Sequence, residues 1–220
     1  IKPQLVNFDA DKVLLCEKTD YLSVEENIFK FYNAAGYMDK REAIGALANN
    51  LKDHAEAQEV FYKALEDKSW HLRRYTLDQI DAADFSDKNK LLLALQKIVN
   101  SDMVSQVRQK ALLLLCRTEP SRTESVCKQV IEKDSSFLCI AAAFDKLFAV
   151  NKTEAYRLAT GFRSTENQAM MQSLSRIFAD SATADNLEFI QKAISMNTYR
   201  TYLSNFKAIK SFLKKCSDLL

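Results

Sequence analysis

The chain has 220 residues, of which 47% are hydrophobic, and its 31 Lys and Arg side chains nearly balance 29 Asp and Glu side chains. This near-neutral balance argues against a nucleic-acid-binding protein, because such proteins usually carry a clear excess of basic residues. Three glycines and two prolines leave few residues for turns, and three glycines cannot build a phosphate-binding loop. We therefore expect an almost wholly helical protein with short loops.

The first residues follow a different pattern from the rest. Val6 and Phe8, and then Val13 and Leu15, alternate with polar neighbours on either side of a turn-forming stretch at residues 9–12. This alternation predicts a short β-hairpin over residues 4–18. Because an isolated hairpin is only marginally stable in water, we expect it to be the tail of a preceding β domain or to pack on the first helices. The predicted domain boundaries are therefore 1–18 and 19–220.

From Ser23 onward the hydrophobic period changes from two to 3.6 residues. Ser23 and Glu26 have the spacing of a capping box, which marks the start of a helix. That first helix is predicted to end near Gly36. Further helices are predicted over residues 39–51, 55–66, 69–81, 87–100, 103–117, 120–133, 136–150, 152–161, 165–180, 184–195 and 198–219. Their short loops predict antiparallel neighbours.

A pattern recurs along these helices. Asp67 precedes Arg73 by six residues, and Asp102 precedes Arg108 by the same distance. In both copies small and apolar residues follow the arginine. A repeat of roughly 35 residues built from helix pairs is typical of an α-solenoid. The sequence thus predicts an all-α fold, a HEAT-like α-α superhelix of antiparallel helix pairs, with the short N-terminal β-hairpin in front of it.

Two further copies are less regular. A degenerate one begins at Asp134 and reaches Ala143, and Arg41, located 32 residues before Arg73, is a candidate marker of an earlier one. In such repeats an Asp–Arg ladder usually cements neighbouring helix pairs. We therefore interpret Arg73 and Arg108 first as structural residues.

Catalytic motifs are missing from the sequence. It contains no GxGxxG, GxxxxGK or HExxH pattern, and His54 and His71 are its only histidines. Five cysteines without a CxxC pair do not indicate a disulfide framework or a metal site. Three of them lie in apolar helical runs and are predicted to be small buried hydrophobic residues: Cys116, Cys127 and Cys139. We predict no catalytic residue, no metal ligand and no cofactor in this chain.

The order of features resembles a known family. The stretch Leu5-Val-Asn-Phe-Asp-Ala-Asp-Lys-Val-Leu-Leu15 leads directly into helices that contain Asp67-Lys-Ser-Trp-His-Leu-Arg-Arg74. This is similar to the C-terminal part of bacterial zinc aminopeptidases of the aminopeptidase N type (membrane alanine aminopeptidases, gluzincins). In that family a catalytic domain is followed by a β-sandwich and then by a HEAT-like helical domain. The resemblance covers essentially all 220 residues, with residues 1–18 as the tail of the sandwich.

The resemblance implies that this chain is a non-catalytic domain of a larger enzyme. The zinc motif and the exopeptidase Gly-x-Met-Glu-Asn motif of the family belong to the upstream domain, so zinc would be bound there and no ligand carries over to this chain. The helical domain would cover the active site of this peptidase and control access. Its partners would be the upstream catalytic and β-sandwich domains and the peptide substrate. The candidates for binding a peptide carboxylate are Arg41, Arg73, Arg74 and Arg108.

Alternatives remain at this stage. A free-standing HEAT-repeat scaffold could bind another protein along its concave face, and a HEAT-like nucleic-acid binder would need a basic inner groove. No segment resembles a transmembrane span or a signal peptide, so we expect a soluble chain with free cysteines. The compartment stays open, since the parent enzyme could be cytoplasmic or exported.

Overall fold

Helices make up the regular structure of the described part of the chain. The structure is a computed structural model that describes residues 3–15, 17–181, 183–195, 206–207 and 209–215. The α-helices are α1 Val24–Asn33, α2 Tyr37–Leu47, α3 Ala55–Ala64, α4 Trp70–Gln79, α5 Lys88–Ser101, α6 Ser105–Thr118, α7 Thr123–Lys133, α8 Phe137–Val150, α9 Lys152–Ala159, α10 Gln168–Phe178 and α11 Ala184–Ser195. Short 3-10 turns are Ala48–Asn50, Ala82–Asp84, Pro120–Arg122 and Thr160–Phe162. Residues 206–207 and 209–215 are also helical.

Local capping explains where several helices begin. The Ser23 hydroxyl accepts a hydrogen bond from the Glu26 N–H at 3.2 Å, and the Glu26 carboxylate accepts one from the Ser23 N–H at 2.8 Å. The predicted capping box is therefore confirmed. Asn151 likewise caps α9 by accepting from the N–H of Glu154 at 3.0 Å. The Glu154 carboxylate binds Arg157 at 2.7 Å, whereas in a capping box it would accept the N–H of Asn151.

The chain folds as two compact units, Ile1–Ala111 and Leu112–Leu220. In the first unit α1 packs on α2 and α3, while α4 packs on α2 and α3. The first helices of the two neighbouring pairs, α1 and α3, thus contact each other, and so do the second helices, α2 and α4. Apolar residues at helical spacing fill the space between them, and Ile44, Phe61 and Leu72 are fully buried. Each such side chain contributes about 1.5–3 kcal/mol relative to an exposed position.

The second unit is organised by α8. This helix packs on α7, α9 and α10, and α10 in turn packs on α9 and α11. Ala143, Phe144 and Leu147 of α8 are fully buried. A separate cluster of Ala179, Ile190 and Phe212 joins the helical residues 209–215 to α11 and to the end of α10.

The N-terminal prediction needs a correction. No strand forms in the described residues of the predicted hairpin 4–18, namely 4–15 and 17–18. The turn itself is present, with left-handed backbone at Asp9 (φ 52°) and Lys12 (φ 53°). The Asp9 carboxylate accepts the N–H groups of Val13 and Leu14 at 2.9 and 3.3 Å, and these are donors that a strand pair would need. A side chain thus replaces the partner strand.

The N-terminal segment also leaves large apolar side chains in solvent. Val6 is 72% exposed, Phe8 59%, Val13 78% and Leu15 107%. We call these four residues the N-terminal apolar surface. Exposed apolar residues this closely grouped typically mark a contact surface.

Charged residues fasten this segment to the helices. Lys12 Nζ lies 2.8 Å from Oδ1 of Asp39 and 3.0 Å from Oε1 of Glu42. Lys30 of α1 is only 1% exposed, and its Nζ binds Oε2 of Glu42 at 2.6 Å. Burial opposes ionisation of both carboxyls, but hydrogen bonds from the lysines outweigh it, so the pKa values of Asp39 and Glu42 are lowered.

The cysteines follow the sequence-based expectation where they can be located. Cys116, Cys127 and Cys139 are buried. Cys16 and Cys216 lie outside the described residues, as do positions 198–205, 208 and 216–219 of the last predicted helix. None of the described helices is both long and apolar enough to cross a membrane.

Candidate functional site

Arg73 binds the aspartate that begins the next repeat. Its Nε lies 2.7 Å from Oδ2 of Asp102 and its Nη2 lies 2.9 Å from Oδ1. Its Nη1 donates to the carbonyl oxygen of Asp67 at 2.8 Å. Only 14% of the Arg73 side chain and 7% of the Asp102 side chain are exposed. Because both oxygens of Asp102 are bound and the pair is largely buried, the relative position of the two side chains is fixed. Arg73 therefore links successive repeats, as the Asp–Arg spacing predicted.

Arg108 repeats the local part of this arrangement. Its Nη1 donates to the carbonyl oxygen of Asp102 at 2.8 Å, just as Arg73 donates to that of Asp67. The aspartate stands before the helix and the arginine lies in its second turn, which brings the guanidinium back over the helix start. Spacing by six residues is therefore a geometric requirement of the motif.

The aspartates of the repeats make a second common contact. The Oδ1 atoms of Asp67, Asp102 and Asp134 each accept the backbone N–H two residues further on, at 2.8, 2.9 and 2.7 Å. The degenerate copy at Asp134 is thus a true copy of the turn, although Ile140 stands at its arginine position.

Lys40 makes the corresponding ion pair with Asp67, the aspartate of the first Asp–Arg copy. Its Nζ binds Oδ2 of Asp67 at 2.7 Å, which is the position that Arg73 takes relative to Asp102. Burial opposes ionisation of Asp67, but the Lys40 hydrogen bond helps to lower its pKa. Arg41, which the spacing marked as an earlier copy, does not play this part. Because Lys40 and Arg41 are adjacent and both basic, the sequence alone does not show which of them pairs with Asp67.

Arg41 instead stacks on an aromatic ring. Its guanidinium carbon lies 4.5 Å from the centre of the Tyr75 ring. Gly45, one helical turn further along α2, makes room for this ring, because a Cβ there would lie 2.8 Å from the Tyr75 oxygen. The glycine is thus required for close approach of α4 and not for a turn.

Aromatic and basic side chains continue along the same part of α4. The exposed ring of His71 stacks on Trp70 with 3.8 Å between ring centres and lies 6.2 Å from the Tyr37 ring of α2. Arg74, three residues after His71, is exposed. We call this group the α2–α4 face; its members are Tyr37, Arg41, His71, Arg74 and Tyr75.

The basic groups of the α2–α4 face differ from those of the ladder. Among the described residues neither Arg41 nor Arg74 has an ion pair. Asp78 lies one turn after Arg74 and could have paired with it, but Lys110 of α6 binds the Asp78 carboxylate. Arg41, which stacks on Tyr75, and the exposed Arg74 therefore have no carboxylate bound to them among the described residues. Guanidinium groups bind carboxylates in bidentate fashion and stack on planar groups.

The described residues do not form a metal site. No group of three or more His, Cys, Asp or Glu side chains within them is placed to hold a metal ion. Zinc sites in proteins use three or four such ligands. Within this part of the chain the residues therefore do not fit a zinc ion.

A groove of about 680 Å³ lies between α3 and α5. Lys90 binds Glu59 across it, and Lys97 binds Glu66 at 2.8 Å. The hydroxyl of Tyr62 is buried in its wall, with no hydrogen-bond partner among the described residues. Burial, followed by the nearby carboxylates, raises the pKa of Tyr62 to about 12. No sequence motif indicated this groove, because it arises where two distant helices pack.

No protein-family model matches the chain, and no curated protein matches it either. The likeness to zinc aminopeptidases therefore rests on residues 5–15 and 67–74 alone.

Proposed function

We propose that the chain is the non-catalytic, C-terminal helical domain of a zinc aminopeptidase, which covers the active site and controls the access of peptides. The observation that carries this proposal is the α2–α4 face. There Arg41 stacks on the Tyr75 ring, Arg74 is exposed, and neither has an ion pair among the described residues. A peptide that enters such an enzyme carries a free C-terminal carboxylate, which is the group a guanidinium binds best.

The packing of helix pairs supports a HEAT-like solenoid of antiparallel pairs. In the first unit α1 contacts α3 and α2 contacts α4. In the second unit α8 and α10 make the equivalent contact between second helices. Rows of second helices form the concave side of such a superhelix, where their side chains face one enclosed space.

The N-terminal apolar surface supports a preceding domain. Phe8 and Val13 would otherwise remain in water at 59% and 78% exposure. A β-sandwich in front of the helices would cover them. Zinc and the catalytic residues would belong to the domain before that sandwich, since the described residues provide no metal site.

The contacts between repeats occupy two of the four candidate arginines and leave the other two available for substrate. Arg73 is held by Asp102, and Arg108 donates to the Asp102 carbonyl oxygen. Of the four candidates, Arg41 and Arg74 are therefore the ones that we assign to the peptide carboxylate.

Kinetics of the complete polypeptide test this assignment. Arg74→Ala and Arg41→Ala should each raise KM about tenfold for peptides with a free C-terminal carboxylate, since a hydrogen bond to a charged group contributes about 1.5 kcal/mol or more. The same variants should leave peptides with a C-terminal amide unchanged. The matched control is Arg122→Ala, an exposed arginine outside the face. Unchanged kinetics on peptides of every length would remove both residues from the assignment.

The coding DNA upstream of the Ile1 codon tests the larger proposal. We expect an open reading frame that encodes HExxH and a downstream zinc-binding glutamate. A start codon next to Ile1 would overturn the aminopeptidase assignment.

One observation favours an alternative function, that of a free-standing scaffold that binds a protein partner. Trp, Tyr and Arg are the residues most enriched at the energetic centres of protein interfaces, and the α2–α4 face contains Tyr and Arg next to Trp70. Affinity capture with the Arg41→Ala and Arg74→Ala variants as negative controls would identify such a partner. This alternative would be established if the unsubstituted chain captures a protein that neither variant captures, and if a start codon lies next to the Ile1 codon.

A further inference from the structure

Two buried thiols meet where α6 ends and α7 begins. The Sγ atoms of Cys116 and Cys127 lie 3.9 Å apart. Cys127 is fully buried and Cys116 is 6% exposed. A disulfide bond is about 2.05 Å long, so the sulfurs would have to approach by about 1.9 Å. Rotation of a cysteine side chain about χ1 moves its sulfur by a distance of this order.

The connection between the helices keeps this pair together. Only Glu119 and the turn Pro120–Arg122 separate α6 from α7. The hydroxyl of Thr123, the first residue of α7, donates to the carbonyl oxygen of Cys116 at 3.4 Å. The two cysteines are 11 residues apart in sequence, so a bond between them would close a short local loop.

The two thiols are not equivalent. Hydrogen bonding to Cys127 lowers the pKa of Cys116 against the opposing effect of burial, and the charge of Lys146 contributes in the same direction. The same hydrogen bond, reinforced by burial, raises the pKa of Cys127. Since the thiolate is the reactive form of cysteine and Cys116 is the less deeply buried of the two, Cys116 is the attacking sulfur and Cys127 the resolving one.

We propose that Cys116 and Cys127 form a reversible oxidation site, at which a hydroperoxide converts the two thiols into an intramolecular disulfide. The proposal does not depend on the aminopeptidase assignment.

The reaction has two steps. The Cys116 sulfur attacks the peroxide, the O–O bond breaks, an alcohol leaves (water, where the oxidant is hydrogen peroxide), and Cys116 becomes a sulfenic acid. The Cys127 sulfur then attacks this sulfur; the S–S bond forms, the S–O bond breaks, and the departing hydroxide leaves as water with the Cys127 proton. Overall the thiols lose two electrons and two protons, which reduce the hydroperoxide to an alcohol and water. Exchange with a dithiol restores both thiols.

Peptide mapping of the protein tests the proposal directly. The protein is treated with hydrogen peroxide while folded, its remaining thiols are alkylated, and trypsin then separates the two cysteines into peptides 111–117 and 123–128. We expect these peptides to be joined, with a mass about 2 Da below their sum, and to separate after treatment with a dithiol. Of the five thiols per chain, two should be lost.

Variants identify the order of events. Cys127→Ser should leave Cys116 as a sulfenic acid that a cyclic diketone traps, whereas the matched control Cys139→Ser should still form the joined peptides. Peptides that remain separate after oxidation, a sulfinic acid at Cys116 without the bond, or a bond only between two chains would each overturn the proposal. The unsubstituted protein alone decides the outcome, so a variant that fails to fold does not affect the test.

Discussion

Arg73 binds both carboxylate oxygens of Asp102, a residue 29 positions further along the chain, at 2.7 and 2.9 Å. Arg74, its neighbour in sequence, is exposed. Two adjacent residues of the same type thus have different tasks, because the helix directs one towards the next repeat and the other into solvent.

Arg73→Ala should lower the free energy of unfolding by about 2–4 kcal/mol, because it leaves the largely buried Asp102 carboxylate without its cation. Arg74→Ala, the matched control, should change it by less than about 0.5 kcal/mol, as is usual for exposed positions. Urea denaturation of both variants measures the difference. Equal effects of the two substitutions would contradict the linking role of Arg73.

Acid should destabilise the cluster that holds the N-terminal segment. The pKa values of Asp39 and Glu42 lie below their ordinary values of 3.8 and 4.5 in the folded protein. The folded state therefore binds protons less readily than the unfolded state, and the stabilisation is complete only above these ordinary values. We expect the urea midpoint to fall as the pH drops through about 4.5 and below.

Lys30 is the test of that pH dependence. Lys30→Met should cost about 2–3 kcal/mol at pH 7, because the buried Asp39 and the half-buried Glu42 lose a partner. It should also flatten the loss of stability in acid. Lys52→Met removes an exposed lysine of the same unit and should preserve the acid-dependent loss. An equal pH dependence in both variants would show that Lys30 does not stabilise the ionised carboxyls.

Gly45 and Tyr75 should show coupled effects on stability. Replacing a helical glycine by alanine normally stabilises a helix by about 1 kcal/mol. Gly45→Ala should lose this gain, because its Cβ would lie 2.8 Å from the Tyr75 oxygen and the ring would have to move away from Arg41. In a Tyr75→Phe background the gain should return. A double-mutant cycle measures the coupling, and additive effects would contradict it.

The buried hydroxyl of Tyr62 should be dispensable. Because it has no hydrogen-bond partner among the described residues, Tyr62→Phe should be neutral or stabilise the fold by up to about 1 kcal/mol. Tyr156→Phe is the control: its hydroxyl accepts from the Asn186 amide at 3.3 Å, so its loss should cost about 1 kcal/mol. In an ultraviolet titration, Tyr62→Phe should remove the tyrosine that ionises near pH 12. A larger loss of stability at Tyr62 than at Tyr156 would refute this account.

Helix positions could be predicted from the sequence because their determinants are local. The capping box of Ser23 and Glu26 acts within three residues and occurs where the sequence indicated. The cap of α9 by Asn151 is equally local. The Asp–Arg motif could be predicted for the same reason, since its spacing of six residues is set by one helix start.

Residues 4–18 show where such prediction fails. Alternation of apolar residues there is suited to a strand, but a strand also needs a partner, and the Asp9 carboxylate takes the N–H groups of Val13 and Leu14 instead. Pairing is a non-local property that one segment cannot specify.

The sequence by itself determined the helical class, the approximate positions of the helices and the repeated turn, because periodicity and capping depend on neighbours along the chain. Only the tertiary structure decided which basic residues are bound: Lys40 and Arg73 pair with aspartates of the following repeat, whereas Arg41 stacks on Tyr75 and Arg74 remains exposed. It also brought the sulfurs of Cys116 and Cys127 to 3.9 Å from one another. The physical reason is that ion pairs, stacking and thiol contacts depend on distances between helices, which are set by how the helices pack.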